Sequence, residues 1–279
     1  MTRARDRRDD ARRRAAFTLI EVLVVVAIIA LLIAILLPSL SRAKEVSKRT
    51  ICLHNLKMLG QGWQMYQTEN KGAFVRGQAA SLDGVRPAEE TDPTWLSSNA
   101  PSWVRFNTTS PTAQPVVTQI RSLQTGALYK YARFVDVYHC PSTAKNEIRT
   151  YSTNWGISGN RGDWDGHSTW RIDQLTPPSS RMVFFDDFPD DWDAIWMIEY
   201  WEPRFWNPMP MRHDKGSTLA FGDGHSDFWR WTDKDTIAFA SQSWIDAENS
   251  TPALMPLNRD LLRLQRAVWG KLTYTPAIH

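Results

Sequence analysis

Apolar and polar positions divide the chain into a few long patterns. From Phe17 to Leu37, twenty-one residues are apolar or small apart from Thr18 and Glu21. Roughly 20 such residues cross the hydrocarbon core of a bilayer as a helix, so the run predicts one membrane span. The helical pattern continues through Pro38, a residue that membrane helices tolerate. From Cys52 the apolar positions Leu56, Leu59, Trp63 and Tyr66 step by four, three, four and three, which is one face of an amphipathic helix. Asn70, Lys71 and Gly72 then supply stop signals. The helix expected from Phe17 to about Glu69 is on the order of 80 Å long at 1.5 Å per residue. Its first half suits lipid, and its second half suits packing on a soluble domain.

Beyond the helix the patterns are shorter. Residues 75–118 are rich in Pro, Ser, Thr, Asn and Gln without a sustained period, which reads as a long loop or insertion. Gly126–Pro141 reads as a short helical turn followed by a strand ending at Cys140, and Tyr151–Gly156 and Met182–Phe185 as short strands. A hairpin is expected over Ser217–Trp231, with Asp223 and Gly224 forming a tight two-residue turn. Two helices follow, Lys234–Ala247 and Arg259–Trp269, the second with Asn258 as its cap and Gly270 as its stop. The expected fold is α+β: a long N-terminal transmembrane helix packed on an antiparallel sheet with large loop insertions.

Charge orients this arrangement. Met1–Ala16 carries seven arginines against three aspartates directly before the apolar run. A basic flank stays cytoplasmic, which places the long C-terminal part outside. The formal charge of +3 comes from this flank, because 26 basic and 27 acidic residues remain without it. The rest of the chain offers no basis for nucleic-acid binding.

Glu21 is the anomaly of the span, since a carboxylate in lipid costs about 2.5–3.5 kcal/mol on insertion scales and needs a partner. No Lys or Arg lies within a helical turn of it, so a charged partner has to come from elsewhere. Arg14, Ala15, Ala16, then Phe17, Thr18, Leu19, Ile20, Glu21, the apolar run and Pro38 together resemble the N-terminal processing motif of type IV prepilins and type II secretion pseudopilins. The resemblance implies cleavage by a prepilin peptidase between Ala16 and Phe17 and N-methylation of Phe17. It also implies pairing of Glu21 with the Phe17 amine of a neighbouring subunit. Ala16 stands where the family usually has Gly. A secretory signal has an apolar region of only 7–15 residues followed by a small-residue site, shorter than the run seen here. The same stretch could also be a twin-arginine export signal, suggested by Arg13 and Arg14, or a plain uncleaved anchor.

A second resemblance is carried by CLHNLKMLGQGWQMYQTENKG after the anchor, YHCPS at 138–142, and His213 followed by Asp223 and Gly224. These resemble a large prepilin-like family with a His, nine residues, Asp-Gly motif, and imply an extracytoplasmic α+β domain. If the chain between His213 and Asp223 is a straight strand, the two lie roughly 30 Å apart. The motif is then structural rather than a shared metal site. Cys52 and Cys140 fall in the part expected outside, where disulfides persist. A disulfide between them and two separate buried thiols both stay open.

Two further stretches hold candidate chemistry. Asp186, Asp187, Asp190, Asp191 and Asp193 form an acidic run with the oxygen ligands calcium prefers; a solvated acidic loop is the simpler reading, and no other cofactor is expected. Fourteen tryptophans, most of them beyond residue 150, suit a core, a subunit interface or a glycan-stacking surface. No nucleophile elbow, phosphate-binding loop or zinc-helix motif occurs, so an enzyme is not expected.

The boundaries drawn from these patterns are a cytoplasmic leader at 1–16, a span at 17–37, an amphipathic continuation at 38–70 and an extracytoplasmic α+β domain at 71–279. The expected role is a structural subunit, a pseudopilin or minor pilin, whose partners are a prepilin peptidase, other pilin subunits and inner-membrane lipid. The rival reading is a membrane-anchored extracytoplasmic protein that binds a polysaccharide or another surface polymer through its Trp-rich half.

Overall fold

In a computed structural model of the chain, one helix, α1, runs unbroken over Leu19–Glu69 with Pro38 inside it. The structure describes residues 18–77, 80–81, 105–106, 114–157, 167–188, 194–242 and 254–278. Residues up to Lys44 form one unit and Glu45–His279 a second. In the first unit the apolar side chains from Leu19 to Leu40 are exposed, and none of the most apolar stretch is buried. That is the surface of a helix whose solvent is lipid or other helices rather than water. A single N-terminal helix of this kind fits a single-pass inner-membrane anchor.

The start and stop of α1 follow from local chemistry. Thr18 donates its backbone N–H and its hydroxyl to Glu21 Oε2, both at 2.8 Å, while Glu21 N–H donates to Thr18 Oγ1 at 3.3 Å. This is a capping box, in which residues three apart satisfy each other's free groups. At the other end Lys71 takes φ 55° and Gly72 N–H donates to Gln67 O at 2.8 Å. That closure is a Schellman motif, set at the expected stop residues.

The second unit is built on a five-stranded sheet. Its strands are β3 (Tyr151–Asn154), β4 (Met182–Asp186), β5 (Ile195–Trp196), β6 (Gly216–Phe221) and β7 (Ser226–Arg230), in the order β5-β3-β4-β6-β7. β1 (Ala80–Ser81) and β2 (Arg105–Phe106) make a separate parallel pair. The main sheet is mixed rather than antiparallel as expected: β4 pairs antiparallel with β3 and β6, and β7 antiparallel with β6, but β5 pairs parallel with β3. The chain leaving β4 reaches the far edge of β3 before it pairs again, and this reverses its direction relative to β4. The α+β character and the long helix agree with a pilin-like fold.

Two cores flank the sheet. Along β6, Ala220 joins the core that holds Leu56, Leu59 and Trp63 of α1, whereas Leu219 and Phe221 join the core beneath α4 (Arg259–Trp269). This is the alternation a strand dictates. α1 passes over the hairpin at Gly60, where a Cβ would make ordinary van der Waals contact with Gly224 Cα at 3.7 Å and Ala220 Cβ at 3.9 Å. Asn258 caps α4 by accepting from Leu261 N–H at 2.8 Å, and Gly270 ends it at φ 76°, as the sequence predicts. The helix expected at 234–247 appears as α3 (Lys234–Ala240), its remaining residues from 243 lying outside those described.

Three expectations need correction. Gly126–Pro141 holds no strand; it forms two 3-10 turns, Ala127–Lys130 and Val135–Tyr138. Its apolar residues Leu128, Val137 and Tyr138 are buried against α1 without a sheet edge to pair with. The supposed loop at 75–118 contains the start of a helix, α2 (Val116–Gln124), while 82–104 and 107–113 lie outside the described residues. The hairpin turn is one residue longer than expected: Phe221 faces His225, with Phe221 N–H donating to His225 O and Gly224 N–H to Phe221 O, each at 2.9 Å. Gly224 sits there at φ 89°, the left-handed residue that a three-residue hairpin requires. Gly224→Ala should destabilise the protein by about 1–2 kcal/mol, the cost of a side chain in that region, as read from denaturant unfolding of the detergent-solubilised chain.

Candidate functional site

The residues singled out in the sequence separate into an end of α1 and a buried cluster. At the end of α1, Glu21 has two uncharged donors from Thr18 and no cation among the described residues. Ala16 and Phe17 lie outside the described residues. The capping pattern, Thr18 followed three residues later by Glu21, is written in the sequence, although in an apolar run the two residues stand out first as polar exceptions.

The cluster forms where three distant segments meet. α1 brings Cys52, and Glu45 two turns earlier on the same face. The 3-10 turn Val135–Tyr138 leads into Cys140, and a tight turn before β6 presents His213. His213 and Gly216 exchange backbone hydrogen bonds across Asp214 and Lys215, whose φ values are 48° and 60°. Two consecutive left-handed residues make a two-residue turn, and neither is glycine. Backbone cost of this kind concentrates where a side chain must be held in place. Asn55, also on α1, donates to Asp136 O and His139 O at 3.0 Å each. Cys140 N–H donates to Thr150 Oγ1 at 2.7 Å. Cys140 is thereby fixed from both sides.

Cys52, Cys140 and His213 are all fully buried. Both cysteines are free thiols, with their Sγ atoms 2.7 Å apart. His213 Nε2 lies 3.1 Å from Cys52 Sγ and 3.3 Å from Cys140 Sγ, and its Nδ1 lies 2.8 Å from Glu45 Oε1. A carboxylate on Nδ1 fixes the tautomer with its proton there, which leaves the Nε2 lone pair facing both sulfurs. Beneath them Asp186, buried at the end of β4, pairs with the partly buried Arg212, and Asp186 Oδ2 has no hydrogen-bond partner among the described residues.

The two thiols shift each other in opposite directions. The hydrogen bond to Cys140, then burial, pushes Cys52 well above the usual thiol range. The same hydrogen bond, helped by His213, lowers Cys140 despite its burial. Burial opposes a charge on His213, but Cys140 and Glu45 outweigh it and raise its pKa. Burial raises Asp186 to about 7 against the pull of Arg212.

The other sequence candidates fall elsewhere. His213 and Asp223 stand at opposite ends of β6, and Asp223 accepts from His225 in the hairpin turn, so they share no site. Asp186 serves Arg212, and Asp187 Oδ1 accepts from Phe188 N–H at 2.8 Å; Asp190, Asp191 and Asp193 lie outside the described residues. Of the tryptophans beyond residue 150, Trp155 and Trp196 are buried in the core, while Trp201 and Trp206 are 43% and 47% exposed. Trp164 and Trp192 lie outside the described residues. The link between His213 and the cysteines has no signal in spacing, since 73 and 161 residues separate His213 from Cys140 and Cys52.

The prokaryotic N-terminal methylation motif matches residues 11–37, so the chain carries a type IV prepilin-like signal that takes in its apolar run. The match does not extend to the His213–Gly224 motif. Comparison with curated proteins and with solved structures gave no match.

Proposed function

We propose that this chain is a pseudopilin or minor pilin of a type II secretion or type IV pilus-like assembly. The observation that carries the reading is the methylation motif at 11–37 leading directly into a helix that is exposed and apolar from Leu19 to Leu40. The arginine-rich leader stays cytoplasmic and the α+β domain lies outside the inner membrane. A prepilin peptidase cuts between Ala16 and Phe17, and the methylated Phe17 amine becomes the partner of Glu21 on a neighbouring subunit. The chemistry acts on this protein and is not performed by it.

The test is the intact mass and N-terminal sequence of the membrane-extracted protein, made with and without a prepilin peptidase. The expected product begins at N-methylated Phe17 only when the peptidase is present. A chain that still begins at Met1 in its presence sinks the reading.

One observation favours a second reading, display of a domain that grips an anionic surface polymer. A groove of about 830 Å³ is lined by Arg259, Arg263, Arg266 and Lys271 beside Trp229 and Trp269. Arg263 stacks on the Trp229 ring at 3.5 Å. Cations next to an aromatic face suit acidic sugars.

A further inference from the structure

We infer that Cys52, Cys140 and His213 supply three of the four ligands of a zinc ion that staples α1 to the sheet of the outer domain. These are the three side chains whose ligand atoms converge among the described residues, all within 4.8 Å of one another. Two thiolates and an imidazole are ligands zinc takes. The Glu45 carboxylate on Nδ1 supplies what a metal-bound histidine ordinarily has behind it, a partner that fixes the tautomer and raises ligand basicity.

Distances weigh this site against a disulfide. Tetrahedral zinc with Zn–S near 2.3 Å and Zn–N near 2.0 Å sets sulfur to nitrogen at about 3.5 Å and sulfur to sulfur at about 3.7 Å. The observed sulfur–nitrogen separations, 3.1 and 3.3 Å, are close to the first figure. The sulfurs, at 2.7 Å, have to part by about 1 Å to ligate, or to close by about 0.7 Å to bond. The sulfur pair alone therefore does not decide. His213 does: a disulfide has no use for a fully buried imidazole nitrogen facing both sulfurs, nor for two left-handed residues and a carboxylate spent on holding it. Thiolates neutralise the ion's double charge, so the site adds no net charge to the interior. The three ligands come from α1, the segment after the Val135–Tyr138 turn and the start of β6, and one ion joins all three.

The site is tested on the full chain, extracted in detergent without chelators. The expected result is one zinc per chain by elemental analysis, with both cysteines alkylated once the protein is denatured with a chelator. Exchange into cobalt(II) should give thiolate charge-transfer bands and visible d–d absorption of a tetrahedral site. His213→Cys, which restores a ligand, should keep the metal, and His213→Ala should lose it. If His213→Ala does not fold, the cobalt spectrum of the unmodified chain decides by itself. An intact mass short by the two hydrogens of a Cys52–Cys140 disulfide overturns the proposal, as do two free thiols that take up neither zinc nor cobalt. None of these readouts depends on cleavage at Phe17 or on fibre assembly.

Discussion

Glu21→Ala is expected to abolish incorporation into a fibre while leaving cleavage before Phe17 intact. The carboxylate sits four residues after Phe17, in a run whose one other polar side chain is Thr18. Among the described residues it is met only by Thr18, whose N–H and hydroxyl are uncharged. Those donors cap the first turn, worth about 1 kcal/mol, but they do not neutralise a charge whose presence in lipid costs about 2.5–3.5 kcal/mol. An amine from a neighbouring subunit does. The two roles separate in Glu21→Gln, which keeps a side chain able to complete the capping box and removes the charge. On the proposed role, both variants are processed and neither assembles. Sheared surface fraction or secretion of a cargo protein measures the outcome. Glu21→Gln that assembles normally assigns Glu21 to helix capping alone, and either variant that still binds an anionic polymer at the cell surface without assembling favours the display reading.

The parts of this molecule that are legible in the sequence are those set by neighbours along the chain. The length of α1, its face at Cys52, Leu56, Leu59, Trp63 and Tyr66, its stop at Lys71 and Gly72, and the cap at Asn258 each depend on residues within a turn or two. The parts that are not legible depend on what lies across the fold. Val135–Tyr138 has the β-branched and aromatic content of a strand, but it coils into a 3-10 turn whose Val137 and Tyr138 are buried in the core shared with α1. Tryptophan content does not separate Trp196, sealed under Phe185 in the core, from the exposed Trp206. The cysteine–histidine cluster is the extreme case. Its ligands lie 88 and 73 residues apart in sequence, and only the docking of α1 on the sheet brings them within reach.

That docking sets the second large effect. Trp63→Ala is expected to cost about 3–5 kcal/mol, the range for removing a large aromatic side chain from a packed core. Trp63 is 1% exposed, its ring centroid is 4.6 Å from that of Phe74, and it shares a core with Leu56, Leu59 and Ala220. Trp206→Ala, with its side chain half in solvent, should shift stability by no more than about 0.5 kcal/mol. Chemical denaturation of the detergent-solubilised chain, followed by near-ultraviolet circular dichroism, reads both. The consequence reaches the cluster, because Trp63 holds against the sheet the same helix face that presents Glu45 and Cys52. Loosening that face moves Cys52 away from Cys140 and His213, so Trp63→Ala should also weaken metal retention although it touches none of the ligands. A Trp63→Ala chain that loses under about 1 kcal/mol, below the range for a core aromatic, would mean that α1 beyond Glu45 rests on the sheet without being part of its core. The three ligands would then be held together by the ion rather than by the packing around it.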